Sequence, residues 1–121
     1  MNEFNEIIEW NIDRNNTTYD STKELMMLVE ELQEFENATT DDEEVDALCD
    51  LMVICAGALY KKGYCPTLSL QETIREISSR LQCPIQKDIW DKWGADGSKW
   101  QKDLSQPSDT LYVADYEKAR L

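Results

Sequence analysis

Between Ala47 and Tyr60 the chain is apolar or small on every side of a helical wheel, and Asp50 is the only charged residue in that stretch. A helix that is apolar all round is a buried helix, so this segment predicts a core element rather than a surface one. Burying an unpaired carboxylate is prohibitively costly. Asp50 must therefore be neutral, hydrogen-bonded, matched to a cation, or bound to metal. Arg75 and Arg80, further along the chain, are the candidate salt-bridge partners.

The neighbouring pattern supplies three more helices. Phe4, Ile7, Ile8 and Ile12 recur at helical spacing, which predicts an amphipathic helix over about residues 3–14, broken by the polar stretch Asn15 to Thr18. Ser21 followed by Glu24 has the form of a capping box, and Leu25, Leu28, Val29, Leu32 and Phe35 mark the apolar face of a second helix that fades near Asn37. Thr40 and Glu43 form a second capping pattern. It opens the long third helix, which runs through Tyr60 and stops at Gly63, with Lys61 and Lys62 suited to the negative end of its dipole. After Cys65-Pro66, Ser69 and Glu72 suggest another cap, and Leu70, Ile74, Ile77 and Leu81 continue a fourth helix to Pro84.

From Ile85 onward periodicity weakens, and Trp90, Trp93, Trp100 and Tyr112 fall among polar residues. Large rings left in water forfeit their burial energy, so such a tail is expected to pack on the bundle or on a partner subunit. The expected organisation is an all-α domain over 1–84, a four-helix-type bundle, and an extended aromatic C-terminal tail over 85–121. No alternating strand pattern or internal repeat is found. A helical hairpin cannot bury every side of its apolar helix, so two chains are expected to complete the bundle, as a homodimer or homotetramer.

Residues 1–50 hold sixteen acids against Arg14 and Lys23, while 51–121 hold nine acids against ten bases, so the formal charge of -13 comes from the first half. That balance disfavours a nucleic-acid binder, which needs basic surface to displace counterions. It disfavours an anionic membrane surface too. A hard cation would reconcile an acidic protein with an anionic substrate. The start of the chain lacks a basic and then apolar leader, and no run approaches the ~18 apolar residues of a membrane helix, so a cytoplasmic protein is expected. Cys49, Cys55, Cys65 and Cys83 form no C-x-x-C pair and the chain has no histidine, which argues against zinc. Cys49 and Cys55 read as small buried thiols.

The acids have a direction. On the second helix Glu30, Glu31 and Glu34 share an arc beside the apolar face; on the third, Glu43, Asp46 and Asp50 lie at i, i+3 and i+7 along one line. The short link, about five residues from Ala38 to Asp42, favours an antiparallel hairpin. Glu34 then lies near the start of the third helix and five or six carboxylates share a pocket. Without a counter-ion they repel; with Mg²⁺, or Mn²⁺ in its place, they become oxygen ligands that leave positions for water and phosphate. Other roles exist for each. Glu43 completes the cap with Thr40, Glu30 suits a solvated face, and Asp46 sits near the positive end of its helix.

Glu30-Glu31-Leu32-Gln33-Glu34 resembles the E-E-x-x-E half of the motif of the all-α nucleoside triphosphate pyrophosphohydrolases, the superfamily of the MazG-like, dimeric dUTPase and phosphoribosyl-ATP pyrophosphohydrolase groups. The other half, E-x-x-D on the next helix, is matched by Glu43 and Asp46. The apolar run that follows the family aspartate is matched better by Asp50-Leu51-Met52-Val53-Ile54, and in that register Ala47 stands where the glutamate belongs. The resemblance covers about residues 20–62, with a fainter match from Gly97 to Asp103. It implies Mg²⁺-dependent hydrolysis of a nucleoside triphosphate between the α- and β-phosphates. Glu31, Glu34 and Asp50 would be ligands, Asp46 would complete the shell, and Glu30 would activate water or hold a second metal. In the tail, Lys99 and Lys102 flank Trp100 and would bind phosphate and stack a base if the tail folds over the pocket. There is no G-x-x-x-x-G-K-[ST] loop, which excludes a P-loop nucleotidase. The rival class is a non-catalytic acidic bundle that binds nucleotide or a regulatory partner.

Overall fold

The computed structural model describes residues 2–80, the backbone of 82–84 and 98–100, and residues 106–121. It is mostly helical: α1 (Glu3–Asp13), α2 (Ser21–Asn37), α3 (Asp41–Lys62) and α4 (Pro66–Ser78) are followed by β1 (Gln82–Pro84), β2 (Ser98–Trp100) and two short 3₁₀ turns, Ser108–Thr110 and Tyr116–Ala119. The strands pair antiparallel, Cys83 opposite Lys99. Three-residue strands are too short for period-two alternation to register in a sequence, which is why no strand was expected. No helix among the described residues is long and apolar enough to cross a membrane.

The chain divides into two compact units, Met1–Leu68 with Ala119–Leu121, and Ser69–Lys118. In the first, α2 and α3 pack as the antiparallel hairpin and α1 packs on α3. The start of α2 differs from the capping box expected of Ser21 and Glu24. Asp20 is the N-cap instead, its Oδ1 accepting from Thr22 N–H at 3.1 Å and Lys23 N–H at 3.3 Å. A charged acceptor one residue earlier serves the orphan donors better, because it also meets the positive end of the helix. Glu24 is thereby freed to turn inward. α3 opens as expected, with Thr40 Oγ1 accepting from Glu43 N–H at 3.2 Å. It closes at Gly63, whose φ of 100° lies in the left-handed region. There Gly63 N–H reaches Tyr60 O and Tyr64 N–H reaches Leu59 O, each at 2.9 Å, a closure that needs a residue without Cβ.

α1 approaches α3 closely at Gly57. A Cβ on Gly57 would lie 3.0 Å from Nδ2 of Asn11. Asn11 is buried and cannot easily yield, since its Nδ2 donates to Ile7 O at 3.0 Å and its Oδ1 accepts from Asn16 at 2.7 Å. The last residues of the chain complete this unit. Cys65 N–H donates to Ala119 O at 2.8 Å, Leu121 N–H to Gly63 O at 2.9 Å, and Ala119 and Pro66 are fully buried.

Among the described residues, α3 is not covered on every side. Ala47, Ala56 and Gly57 are buried, but Val45, Leu48, Met52 and Val53 are exposed, as are Cys49 and Cys55, which were expected inside. One neighbour on each of two sides, α1 and α2, leaves the rest of an all-round apolar helix open.

α4 begins at Pro66, three residues before the expected Ser69 cap, and belongs to the second unit from Ser69 onward. Proline suits the first helical position, where no N–H is needed. The residues read as a cap serve elsewhere. Glu72 is buried, takes the Tyr112 hydroxyl and the Asp115 N–H (3.0 Å), and is held below the usual carboxylate range, first by Tyr112 and then by Asp115. Glu76 accepts Ala114 N–H at 3.1 Å. Two carboxylates of α4 thus hold the tail segment that carries Tyr112, Ala114 and Asp115.

Gly57→Val is expected to destabilise the protein by about 1–3 kcal/mol, because the added isopropyl group overfills the α1–α3 contact. Urea unfolding followed by circular dichroism checks this, and an unchanged midpoint would contradict the contact.

Candidate metal centre

Five or six of the acids Glu30, Glu31, Glu34, Glu43, Asp46 and Asp50 are expected to share a pocket on the α2–α3 hairpin. α2 presents Glu31 and Glu34 on one side because three residues are nearly one turn; α3 presents Asp50 towards them because the link after Asn37 reverses the chain. One carboxylate oxygen from each of Glu31, Glu34 and Asp50 lies within 4.8 Å of the other two. Glu31 Oε2 is shut off from water and has no hydrogen-bond partner.

This crowding is visible in the acidity of Glu31. Burial, then the Glu34 carboxyl by hydrogen bond and charge, then Asp50, push it up from 4.5 to about 7. Every one of these influences favours the protonated form, as expected where like charges meet without a cation.

Beside the trio lies an open cleft of about 300 Å³ lined by Glu34, Asn37, Glu43 and Asp46. Glu34 belongs to both groups. The six acids therefore separate into three that meet (Glu31, Glu34, Asp50), two that line the adjoining cleft (Glu43, Asp46), and Glu30, which is exposed and belongs to neither. Glu43 has a structural commitment as well: its Oε2 accepts Thr39 N–H at 3.2 Å, closing the capping motif one residue before Thr40. Ala47, one turn before Asp50, is buried and brings no ligand. The two arginines weighed as partners for Asp50 are engaged within their own unit, Arg75 with Glu72 at 3.2 Å and Arg80 with Glu76 at 2.8 Å.

The side chains of Lys99, Trp100 and Lys102 lie outside the described residues. Two participants went unnoticed in the sequence. Asn37 reaches the cleft from the last turn of α2, three residues after Glu34, a spacing that could have revealed it. Glu24, two turns before Glu31 on the same line, forms a buried ion pair with Lys61; its capping-box spacing disguised it as a surface residue.

The donor set suits a hard divalent cation. It consists of carboxylate oxygens, one of them orphaned away from water, next to a cleft with room for further ligands. A scan against protein-family models finds no match, and searches of known proteins and of solved structures return no significant similarity.

The raised pKa of Glu31 fixes the sign of a pH effect. Its folded value exceeds its unfolded one, so the folded state holds the proton more tightly. The stability this group contributes is fully present below about 4.5 and is lost as pH rises through about 7. In metal-free protein, Glu31→Gln should flatten the fall in urea midpoint over that window and leave the variant more stable than the parent at pH 8. Identical pH profiles for variant and parent would refute the clustering of these acids.

Proposed function

We propose that this chain is a Mg²⁺-dependent nucleotide pyrophosphohydrolase of the all-α kind, cleaving a nucleoside triphosphate between the α- and β-phosphates to give the monophosphate and pyrophosphate. The observation that carries the reading is the meeting of Glu31, Glu34 and Asp50 from two helices around an oxygen with neither water nor donor. The motif-like run Glu30-Glu31-Leu32-Gln33-Glu34 supports it independently.

In this reading Glu31, Glu34 and Asp50 hold the metal, and Asp46 in the adjoining cleft completes the shell. Mg²⁺, with Mn²⁺ as its substitute, supplies charge to offset the phosphate oxygens as bonds to phosphorus change. Glu30, exposed and outside both the trio and the cleft lining, is left with water activation or a second metal only if substrate binding brings it to the site. Glu43 shapes the cleft while capping α3, and Lys99, Trp100 and Lys102 are assigned to the phosphates and base of the substrate. Nucleic acid and membranes are not partners in this reading.

The open apolar side of the hairpin supports self-association. Met26 is 65% exposed and Met52 57%, with Leu25, Leu32, Val45 and Leu48 also in the open. A second copy covering these groups makes a homodimer, and a pair of dimers makes a homotetramer. The free thiols Cys49, Cys55 and Cys65 suit the reducing cytoplasm.

One observation favours a second reading. Ala47 occupies the place of a motif carboxylate when Asp50 is taken as the family aspartate, which suits a non-catalytic acidic bundle that binds nucleotide or a regulatory partner without cleaving it.

Assay of a panel of canonical and modified triphosphates for pyrophosphate release should give turnover only with Mg²⁺ or Mn²⁺. Asp50→Asn and Glu34→Gln should each lower the rate at least about a hundredfold, ~2.7 kcal/mol of transition-state stabilisation. Nucleotide binding without turnover would establish the second reading, and turnover untouched by both substitutions would remove the assigned site. Light scattering should give a mass of at least twice the 14.1 kDa of one chain; a 14 kDa species alone would refute self-association.

A further inference from the structure

We infer that the buried ion pair of Glu24 with Lys61 is a register lock for the α2–α3 hairpin, which makes both residues positioning groups for the carboxylates of Glu31, Glu34 and Asp50. The consequence for metal binding rests on the reading proposed above; the control of register does not.

The pair is poorly built for stability. The Lys61 side chain is 3% exposed and that of Glu24 6%, so both charges have left water. Glu24 Oε2 is buried without any partner. A buried ion pair with an unsatisfied oxygen gains less than well-packed apolar side chains would, whereas such groups are effective at selecting one arrangement among several. α2 against α3 needs that selection. Leu25, Met26, Val29 and Leu32 on α2, and Leu48, Met52 and Val53 on α3, are all exposed, and no large apolar side chain of either helix is fully buried to resist sliding.

The geometry links this pair to the acids. Glu24 and Glu34 are ten residues apart on α2, and Lys61 and Asp50 eleven apart on α3. At a rise of about 1.5 Å per residue these are about 15 Å and 16–17 Å. In an antiparallel hairpin the contact that sets Glu24 against Lys61 therefore sets Glu34 against Asp50. Glu31 follows from Glu24 at seven residues, two turns along the same line. A slip of one turn moves one helix by about 5.4 Å, more than the 4.8 Å within which the three oxygens lie. The opposite charges penalise that slip, since it would leave both buried and unpaired.

The test uses the full chain with nitroxide labels attached through bio-orthogonal side chains at the exposed positions Gln33 and Glu44, diluted with unlabelled chain and read by pulsed electron paramagnetic resonance. The parent should give a single narrow distance. Lys61→Met, and the doubly apolar Glu24→Leu with Lys61→Met, should add a second population displaced by about one helical turn and weaken Mn²⁺ binding at least tenfold. The apolar pair keeps the test open if the single variant fails to fold. Charge reversal, Glu24→Lys with Lys61→Glu, should restore the single distance and Mn²⁺ affinity. A narrow distance unchanged in the apolar double variant would overturn the proposal, as would failure of charge reversal to restore it. A parent that binds no Mn²⁺ while the distances behave as described would remove the metal reading and leave the register lock in place.

Discussion

A link of only three residues, Ala38 to Thr40, joins α2 to α3, and so short a connection obliges the two helices to run side by side in opposite directions. Everything of functional interest follows from that reversal. It brings α2, which carries Glu31 and Glu34, against α3, which carries Asp50, and it does so where one of the six oxygens is cut off from water. Burial and the neighbouring carboxyls raise the affinity of Glu31 for a proton, and the same crowding suits the trio to a cation. The hairpin thus has an electrostatic debt that a divalent ion is well suited to settle.

The two ends of this interface are differently made. At the open end of the cleft, Glu43 is tied to the backbone of Thr39 and helps α3 to start. At the far end, Glu24 and Lys61 are paired and buried. Between them the acids have room to meet. The apolar side chains Leu25, Met26, Leu48 and Met52 of the same helices are exposed, whereas the charged pair of Glu24 and Lys61 is buried. The second unit uses carboxylates otherwise, as acceptors for a hydroxyl and backbone N–H groups that secure the tail to α4.

Much of this was legible in the order of residues. Helical spacing of Phe4, Ile7 and Ile8 located α1; Thr40, Glu43 and Gly63 located both ends of α3, because capping chemistry is local and acts within a few residues of itself. The acidic line of Glu43, Asp46 and Asp50 was equally plain. Less legible were features whose partners are distant in the chain. Glu24 and Glu72 each had the spacing of a cap, yet Asp20 and Pro66 started the two helices, and the glutamates turned to Lys61 and Tyr112, 37 and 40 residues away. Local spacing cannot reveal which of two competing acceptors wins.

Sequence by itself determined the helical class, the hairpin and the candidacy of all six acids, because periodicity, short links and caps are written locally. Which of those acids meet was decided only by the tertiary structure. Rotation and register of one helix against another selected Glu31, Glu34 and Asp50, left Glu43 and Asp46 lining the cleft, and turned Glu30 outward. The reason is physical: residues on two helices come within 4.8 Å only when the helices are aligned to better than one turn, and that alignment comes from contacts made across the fold.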